Sequence, residues 1–409
     1  MKALRAIIFL MILLSGLRGL SQSVTVWIDP KPAMMGCLYS ALSKDTWVMR
    51  GDSVPELITN LKYGESVQLK YLGGKIQLLR NGVSLGFWPE LIFWVSDSVA
   101  RFSITPDGGK KTIEYYDHLK VQGYKNQLRL LNLVWMENYI CGVVAAEGGI
   151  YKTPEFLKVQ ALCSRTYAIR NMGKFQRDGF DLTDKVDCQV YHGVPKNLPG
   201  VEEAVRATAG LIALDGFGEP IDAVFSANCG GQSANSEEVW TASSSYLKST
   251  ESYDHYREFR NSAWTYTTSV QDLITLFSKY YKTSILSWEV IPDGSGRVRQ
   301  LVFNGNPKMV ISGTELRSLL KLKSTKFRMY QIQSQMFFAG QGFGHGVGMC
   351  QDGAYKLSTL GWNYENILRH FYQGVSLLSI SDWQKRISQG RAEIPVQESD
   401  SAEEDSQTE

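Results

Sequence analysis

The sequence predicts an α+β fold: a mixed, β-rich core with a few helices, preceded by a small β region. Short runs of alternating apolar and polar residues, separated by glycine turns, fill residues 24–99 and recur later in the chain. Apolar residues recur at helical spacing in only a few segments. The chain has 409 residues, of which 44% are hydrophobic and 21% charged, and this is ordinary globular composition with enough length for a large core.

The first 21 residues have the pattern of a secretory signal. Lys2 and Arg5 form a basic start, residues 6–14 an apolar centre, and residues 19–21 a small-residue cleavage site. The apolar run is short for a bilayer span, and no later segment is predicted to cross a membrane. We therefore expect an exported protein of the periplasm, the cell envelope or the extracellular space.

The charge pattern gives no reason to expect a nucleic-acid partner. The 43 basic and 41 acidic residues leave a net charge of +2, and no basic stripe interleaved with aromatic residues is visible. Acidic residues are concentrated at the end of the chain, where residues 389–409 are polar and are predicted to be a disordered tail.

Two domains are predicted between the signal and the tail. Residues 22–99 form the small β region, in which alternation at 66–69 and 75–78 around Gly73 and Gly74 predicts a hairpin. Residues 100–388 form the main domain. Its predicted elements are strands at 101–104, 118–121 and 128–134, a helix opened by Thr153 and Pro154, a loop and then a strand within 179–193, a helix at 201–209, paired strands at 211–214 and 221–226, a helix at 270–280, a hairpin turning at 293–296, and a glycine-rich loop with two helical patches in 341–372.

Glu147 is the candidate catalytic residue. It follows the apolar run 143–146 and precedes Gly148 and Gly149. A carboxylate held among apolar side chains loses hydration, so its pKa rises and a protonated form becomes available near neutral pH. That is the property of a general acid. The plainer alternative for a lone glutamate in this position is a helix cap or a salt-bridge partner.

Six cysteines are too few for a disulfide scaffold in a chain of this length, and no CxxC pair occurs. The sequence leaves open whether one or two disulfides form. The cysteines are Cys37, Cys141, Cys163, Cys188, Cys229 and Cys350.

Four blocks, in this order, form a specific combined pattern between about residue 100 and 376. They are ENYICGVVAAE (137–147) with 157–161 and 164–168; CQVYHG (188–193); 203–210 with SANCGG (226–231); and GFGHGVGMCQ (342–351) with Gly353 and Ala354. In these blocks the chain resembles the stage II sporulation protein D and amidase-enhancer (SpoIID/LytB-type) family.

This resemblance implies a lytic transglycosylase that cuts the glycan strands of peptidoglycan, preferentially strands stripped of stem peptides by an amidase. The family's catalytic glutamate falls on Glu147. One carboxylate is sufficient for this reaction, whereas ordinary glycosidases need two, because the 6-hydroxyl of the muramic acid unit attacks its own anomeric carbon. The implied product carries a 1,6-anhydromuramoyl end, and the implied partners are peptidoglycan strands and a cell-wall amidase.

Further residues of the blocks are candidates for substrate binding. Lys158 and Arg165 are predicted to orient the carboxylate or to bind substrate, although an arginine beside Glu147 would lower its pKa and oppose the acid role. For Arg165 and His345, a purely structural role has equal weight. The other candidates are polar groups suited to sugar hydroxyls and N-acetyl groups: Gln189, Tyr191, Thr208, Ser226, His345 and Gln351. The loop glycines of 342–348 allow backbone to approach a ligand closely.

The chain departs from the family pattern at three places. Gly148 and Gly149 replace a common Met-Pro, which predicts a looser turn after Glu147. Cys350 stands where the family usually has serine. The zinc ligands of some relatives are broken here, so Cys188, Cys229 and His192 are only weak candidates for a structural zinc site, and no other cofactor is expected.

Two other functions stay open. The first is a non-catalytic wall-binding protein that enhances an amidase. The second is a conventional hydrolase, which would need a second carboxylate, and Asp187 and Asp254 are its candidates.

Overall fold

A computed structural model describes residues 23–30, 33–51, 55–95, 97, 100–109, 111–148, 151, 153–196, 198–240, 242–253, 259–281, 284–306 and 309–390. The predicted signal, Asp254 and residues 391–409 of the predicted tail therefore lie outside the described residues. The chain divides into two compact units, Met1–Gly210 and Leu211–Glu409. The chain combines strands in several sheets with a smaller number of residues in helices, which confirms the predicted α+β class with a β-rich core.

Two large sheets form the framework of the first unit. One has the strand order β13-β1-β12-β11-β8-β3-β4 and the other the order β10-β9-β2-β5-β6-β7. Their strands are β1 (Ser23–Ile28), β2 (Gly36–Ala41), β3 (Asp45–Arg50), β4 (Glu56–Lys62), β5 (Ser66–Leu72), β6 (Lys75–Arg80), β7 (Val83–Trp88), β8 (Glu90–Val95), β9 (Arg101–Pro106), β10 (Ile113–Tyr116), β11 (His118–Tyr124), β12 (Gln127–Trp135) and β13 (Leu182–Thr183).

The predicted hairpin at Gly73 and Gly74 is confirmed as β5 and β6. Both glycines have a positive φ, of 55° and 85°, and glycine adopts such a φ without a steric penalty. Along both strands alternate residues are buried, as a two-residue period requires.

The predicted boundary between residues 99 and 100 falls inside the first unit and is not a domain boundary. Strand β2 pairs with β9, and β8 pairs with β11, so strands from both sides of residue 99 share both sheets. Hairpin signals in a sequence are local. The pairings that join these sheets connect strands far apart in the chain, and for that reason the sequence suggested a separate small β region.

Three α-helices complete the first unit: α1 (Met136–Gly148), α2 (Pro154–Asn171) and α3 (Pro199–Ala207), with a 3₁₀ turn at Gln176–Asp178. Helix α2 begins after Thr153 with Pro154 in its first turn, as predicted. The apolar run 143–146, which was not predicted to be helical, belongs to α1. Helix α1 packs against both α2 and α3.

The second unit contains smaller sheets. Its strands are β14 (Leu211–Leu214), β15 (Phe225–Ser226), β16 (Trp264–Ser269), β17 (Ser284–Pro292), β18 (Val298–Asn306), β19 (Met309–Ser312), β20 (Phe327–Ile332), β21 (Gln335–Gly340), β22 (Met349–Cys350) and β23 (Ser376–Ser379). The pairings are β14 with β23, β15 with β22, β16-β21-β20 and β17-β18-β19. Strand β14 pairs along its whole length with β23, near the end of the chain. The predicted pairing of 211–214 with 221–226 is reduced to a short antiparallel contact, in which Leu214 bridges Pro220 and the Ile221 N–H donates to Ala213 O at 3.1 Å.

The helices of the second unit are α4 (Ser236–Val239), α5 (Val270–Tyr281), α6 (Gly313–Leu320), α7 (Gln351–Thr359), α8 (Tyr364–Phe371) and α9 (Ile380–Ser388). Helix α5 and the β17–β18 hairpin confirm the predictions for 270–280 and 293–296. Leu273 and Phe277 of α5 pack into an apolar core with Leu301 and Phe303 of β18. Among the described residues, no helix combines the length and apolar character that a bilayer crossing requires.

Candidate active site

Glu147 lies in the last turn of α1 and is half-buried. Its Oε1 accepts a hydrogen bond of 2.8 Å from the backbone N–H of Val190. The helix end is packed closely against α2, because a Cβ on Gly148 would come within 2.8 Å of the Phe156 ring. The carboxyl is thus positioned by the closely packed end of α1 and by the segment that contains Val190.

Burial raises the pKa of Glu147 above its ordinary value, and the hydrogen bond from Val190 partly opposes this rise. Loss of hydration penalises the charged form, so the protonated acid persists at higher pH than in an exposed glutamate. The direction is the one predicted from the apolar run. That property suits a general acid.

The segment 188–193 runs along α1, so two of the blocks noted in the sequence meet in space. The Tyr191 ring packs against Tyr139 of α1 with ring centroids 5.1 Å apart. A Cβ on Gly142 would lie 2.3 Å from Tyr191 Cε2. Glycine at this helical position therefore lets the segment approach closely enough for Val190 to reach Glu147.

Arg165 is fully buried and does not have the binding role that the sequence suggested. Its Nε and Nη2 donate to Glu137 Oε1 and Oε2 at 2.9 and 2.6 Å. Glu137 Oε1 also accepts from the Gly210 N–H at 3.1 Å. A glycan cannot reach a side chain with no exposed surface. Arg165 instead ties α2 to the start of α1 and to the residues that follow α3.

Three further candidates of the first unit are buried and bonded within the protein, so their predicted contact with sugar is not compatible with the structure. Tyr191 donates to Asn132 Oδ1 at 2.9 Å, Gln189 to Ser164 O at 3.2 Å and Thr208 to Ala204 O at 3.1 Å. Lys158 is partly exposed and forms an ion pair of 2.6 Å with Glu155. Its predicted role in substrate binding stays a prediction.

Ser226, His345 and Gln351 lie together in the second unit, around the parallel pair of β15 and β22. The Nδ1 of His345 accepts from the Val347 N–H at 3.1 Å, so its Nε2 carries the proton and donates to Phe225 O at 2.9 Å. Desolvation lowers the pKa of His345 to about 4, which keeps the ring neutral. Both ring nitrogens are thus used by backbone, and Ser226 and Gln351 are buried. These positions fit a structural role better than the predicted binding of sugar.

The glycines of the loop 342–348 allow close backbone approach, but the approach is to the protein itself. A Cβ on Gly344 would lie 2.6 Å from Ser226 Cβ, and one on Gly346 would lie 2.1 Å from the Arg297 guanidinium. The close approach predicted for a ligand is therefore explained by internal packing.

The weak metal candidates are divided between the two units: Cys188 and His192 belong to the first and Cys229 to the second. Within the part of the chain that the structure describes, no group of three or more His, Cys, Asp or Glu side chains is arranged to hold a metal. All six cysteines are described residues, and each is a thiol rather than half of a disulfide. Cys350 Sγ accepts from the Gly353 N–H at 3.4 Å and caps α7, as a serine hydroxyl would.

Comparison with known proteins identifies the chain. A family model described as stage II sporulation protein matches residues 124–214, which include Glu147 and segment 188–193. An uncharacterized protein of Brachyspira hyodysenteriae is 31% identical over 276 residues, covering 65% of this chain and 73% of the relative. Stage II sporulation protein D of Bacillus amyloliquefaciens is 30% identical over 279 residues, covering 63% of this chain and 78% of the relative. The chain belongs to the SpoIID/LytB family.

This member of the SpoIID/LytB family is also similar to a further relative and to a second family model. The amidase enhancer of Bacillus subtilis is 26% identical over 293 residues, which cover 58% of this chain and 40% of that protein. A second family model, a domain of unknown function (DUF8618), matches residues 232–348. It begins directly after the third SpoIID/LytB block and ends within the fourth.

Sequence reasoning missed three groups that shape this SpoIID/LytB site. The Val190 N–H is a backbone donor and leaves no signal in the sequence. Glu137 lies in the first block, but nothing local indicates that it pairs with a residue 28 positions away. Gly142 had a visible signal, because a glycine inside a helix costs stability and usually marks a close contact.

Proposed function

We propose that this SpoIID/LytB-family chain is a lytic transglycosylase that cuts peptide-stripped glycan strands of peptidoglycan, with Glu147 as the single general acid and base. The observation that carries the proposal is the half-buried carboxyl at the end of α1, whose pKa is raised by burial. Such a group keeps its proton to a higher pH than an exposed glutamate, so it can donate the proton and regain it in the same turnover.

The reaction needs one carboxyl in two successive roles. Glu147 first gives its proton to the oxygen that links the anomeric carbon of the muramic acid unit to the next sugar, and that bond breaks. The 6-hydroxyl of the same muramic acid then bonds to the anomeric carbon, and Glu147 takes the hydroxyl proton. No water is consumed, and the enzyme returns to its protonated state.

The Val190 N–H fixes which carboxyl oxygen donates. An N–H donor favours an oxygen that carries no proton, so Oε1 is the acceptor and the proton resides on Oε2. The hydrogen bond also limits rotation of the carboxyl, and this keeps the donating oxygen in one direction through both steps.

The test is replacement of Glu147 by glutamine, which keeps the shape of the side chain and removes the acid. Denuded glycan is treated with wild type and E147Q, and the products are analysed by chromatography and mass spectrometry. Anhydro ends from wild type and none from E147Q are expected. Asp187→Asn serves as a control, because Asp187 is exposed and accepts from Thr183 at 2.6 Å. Anhydro ends from E147Q, or reducing ends from wild type, would refute the proposal.

A second candidate function is enhancement of a cell-wall amidase without cleavage, which the similarity to an amidase enhancer favours. In that case wild type and E147Q would both bind glycan and stimulate an amidase equally, and neither would create new ends. Either activity requires export, for which residues 1–21 provide the proposed signal.

A further inference from the structure

A groove of about 320 Å³ runs beside α1 in the first unit. It lies between one face of α1, the chain at the start of β10 and the loop that follows segment 188–193. The lining residues are Lys111, Thr112, Ile113, Glu114, Gly142, Ala145, Ala146, His192, Gly193, Val194, Pro195, Lys196 and Leu198.

The groove is bounded by small residues and fixed by backbone contacts. Gly142, Ala145 and Ala146 share one face of α1, and Ala146 directly precedes Glu147. Across the groove, the Val194 N–H donates to Glu114 O at 2.8 Å. A Cβ on Gly193 would lie 2.0 Å from the same oxygen, so only glycine lets the loop come this close to β10. The resulting channel is preformed, and its α1 side carries nothing larger than a methyl group.

Positive charge predominates along this groove. Lys111 and Lys196 are exposed, and Lys196 is 3.6 Å from Glu114, a loose ion pair. Lys111 has no carboxylate at ion-pair distance among the residues that the structure describes. Burial and the charge of Lys111 lower the pKa of His192, which therefore adds no charge at neutral pH. Two ammonium groups thus face one carboxylate.

We infer that this groove binds the glycan strand through carboxylates on its sugars, with Lys111 and Lys196 recognising the negative charge. The inference rests on the proposed function. Removal of the stem peptide turns the lactyl group of each muramic acid from an amide into a free carboxylate, so a stripped strand carries a regular row of negative charges. A narrow groove with small side chains on one side and cations at its rim suits such a strand. A neutral strand makes no ion pairs with these cations and should bind more weakly.

The experiment measures binding to the full-length chain carrying E147Q, which keeps the probe uncut. The probes are peptide-stripped glycan oligosaccharides, the same oligosaccharides with their carboxylates converted to amides, and neutral chitohexaose. Exposed ion pairs contribute modestly, so Lys111→Gln and Lys196→Gln should each weaken binding of stripped glycan about threefold, and the double variant about tenfold. Added salt should weaken binding in the parent more than in the double variant. The amidated and neutral probes should bind weakly and respond to neither substitution.

Lys75→Gln is the matched control. Lys75 is an exposed lysine on β6, four strands away from β10 in the same sheet, and its removal should leave binding unchanged. Circular dichroism and thermal unfolding establish that each variant is folded. Equal binding by the double variant and the parent, equal binding of amidated and native glycan, or no binding by the parent would overturn the inference.

The two proposals fail separately. Lysine-dependent binding by a protein that forms no anhydro ends would refute the proposed catalysis and leave the groove assignment standing. A variant that keeps Glu147 and carries both Lys111→Gln and Lys196→Gln tests the groove assignment alone. If it forms anhydro ends as well as wild type does, the groove assignment is refuted.

Discussion

The hydration of one carboxyl determines the pH range in which the proposed reaction runs. Glu147 must be protonated when substrate is bound, and its pKa is raised by burial. The turnover rate should therefore hold through the acid range and fall as pH rises through this raised pKa, which lies above that of an exposed glutamate. A profile of kcat against pH measures this. His345, with a pKa of about 4, titrates below the range of an exposed glutamate. A rate that already declines in the ordinary glutamate range would contradict the assignment of Glu147 as acid.

Arg165 allows a structural and a binding role to be distinguished. Arg165→Gln removes the cation from the forked pair with Glu137, so we expect the free energy of unfolding to fall by about 3 kcal/mol while KM for glycan stays unchanged. Denaturant unfolding and steady-state kinetics give the two readouts. Lys158→Gln is the comparison, because its pair with Glu155 is partly exposed on both sides and should contribute about 0–1 kcal/mol. A raised KM with unchanged stability would restore the binding role for Arg165.

The residues that the sequence predicted well are those whose signal is local. Glu147 follows an apolar run, and the burial of its carboxyl follows from that run. Tyr191 and Thr208 were predicted to meet sugar because their side chains are polar. In the fold Tyr191 instead donates a hydrogen bond to Asn132, and Thr208 donates one to the backbone carbonyl of Ala204 in α3. A sequence gives the polarity of a side chain, but only the tertiary structure decides whether that polarity faces solvent or a buried partner.

At the scale of elements, the close packing of α1 on segment 188–193 depends on Gly142. Gly142→Ala would place a Cβ 2.3 Å from the Tyr191 ring and 2.6 Å from Gly193 O. The resulting shift should cost about 1–3 kcal/mol, more than the gain of about 1 kcal/mol from helix propensity. It should also lower cleavage, because the displaced segment carries the Val190 N–H.

Gly200→Ala in α3 is the matched control for this substitution. Its Cβ would lie 3.7 Å from Leu157 Cδ1, an ordinary contact, so stability should stay constant or rise. Denaturant unfolding of both variants measures the difference. Equal stability of the two would show that segment 188–193 adapts to a larger residue at position 142.

The elements that were predicted correctly are again those specified locally. The β5–β6 hairpin follows from two glycines and alternation, and α5 follows from helical spacing. For strand β14 the sequence indicated only the neighbouring segment, which makes a short contact at Leu214, whereas its main partner β23 lies about 160 residues further along. Long-range pairing depends on the whole sheet, and neither propensity nor turn chemistry specifies it.

At the scale of the whole molecule, the arrangement of strands decides which fragments can fold alone. Every strand pairing that the described residues make falls within Met1–Gly210 or within Leu211–Glu409. A fragment of residues 22–210 should therefore be soluble and should unfold cooperatively, as measured by size-exclusion chromatography and thermal circular dichroism. A fragment of residues 100–388, the domain expected from the sequence, removes β1, β2 and β8, and so deprives β12, β9 and β11 of one partner strand each. Unpaired strand edges and uncovered apolar faces promote aggregation, so this fragment should be insoluble. If residues 100–388 instead gave a soluble, cooperatively folding protein while residues 22–210 did not, the division at Gly210 would be wrong and the boundary near residue 100 would be restored.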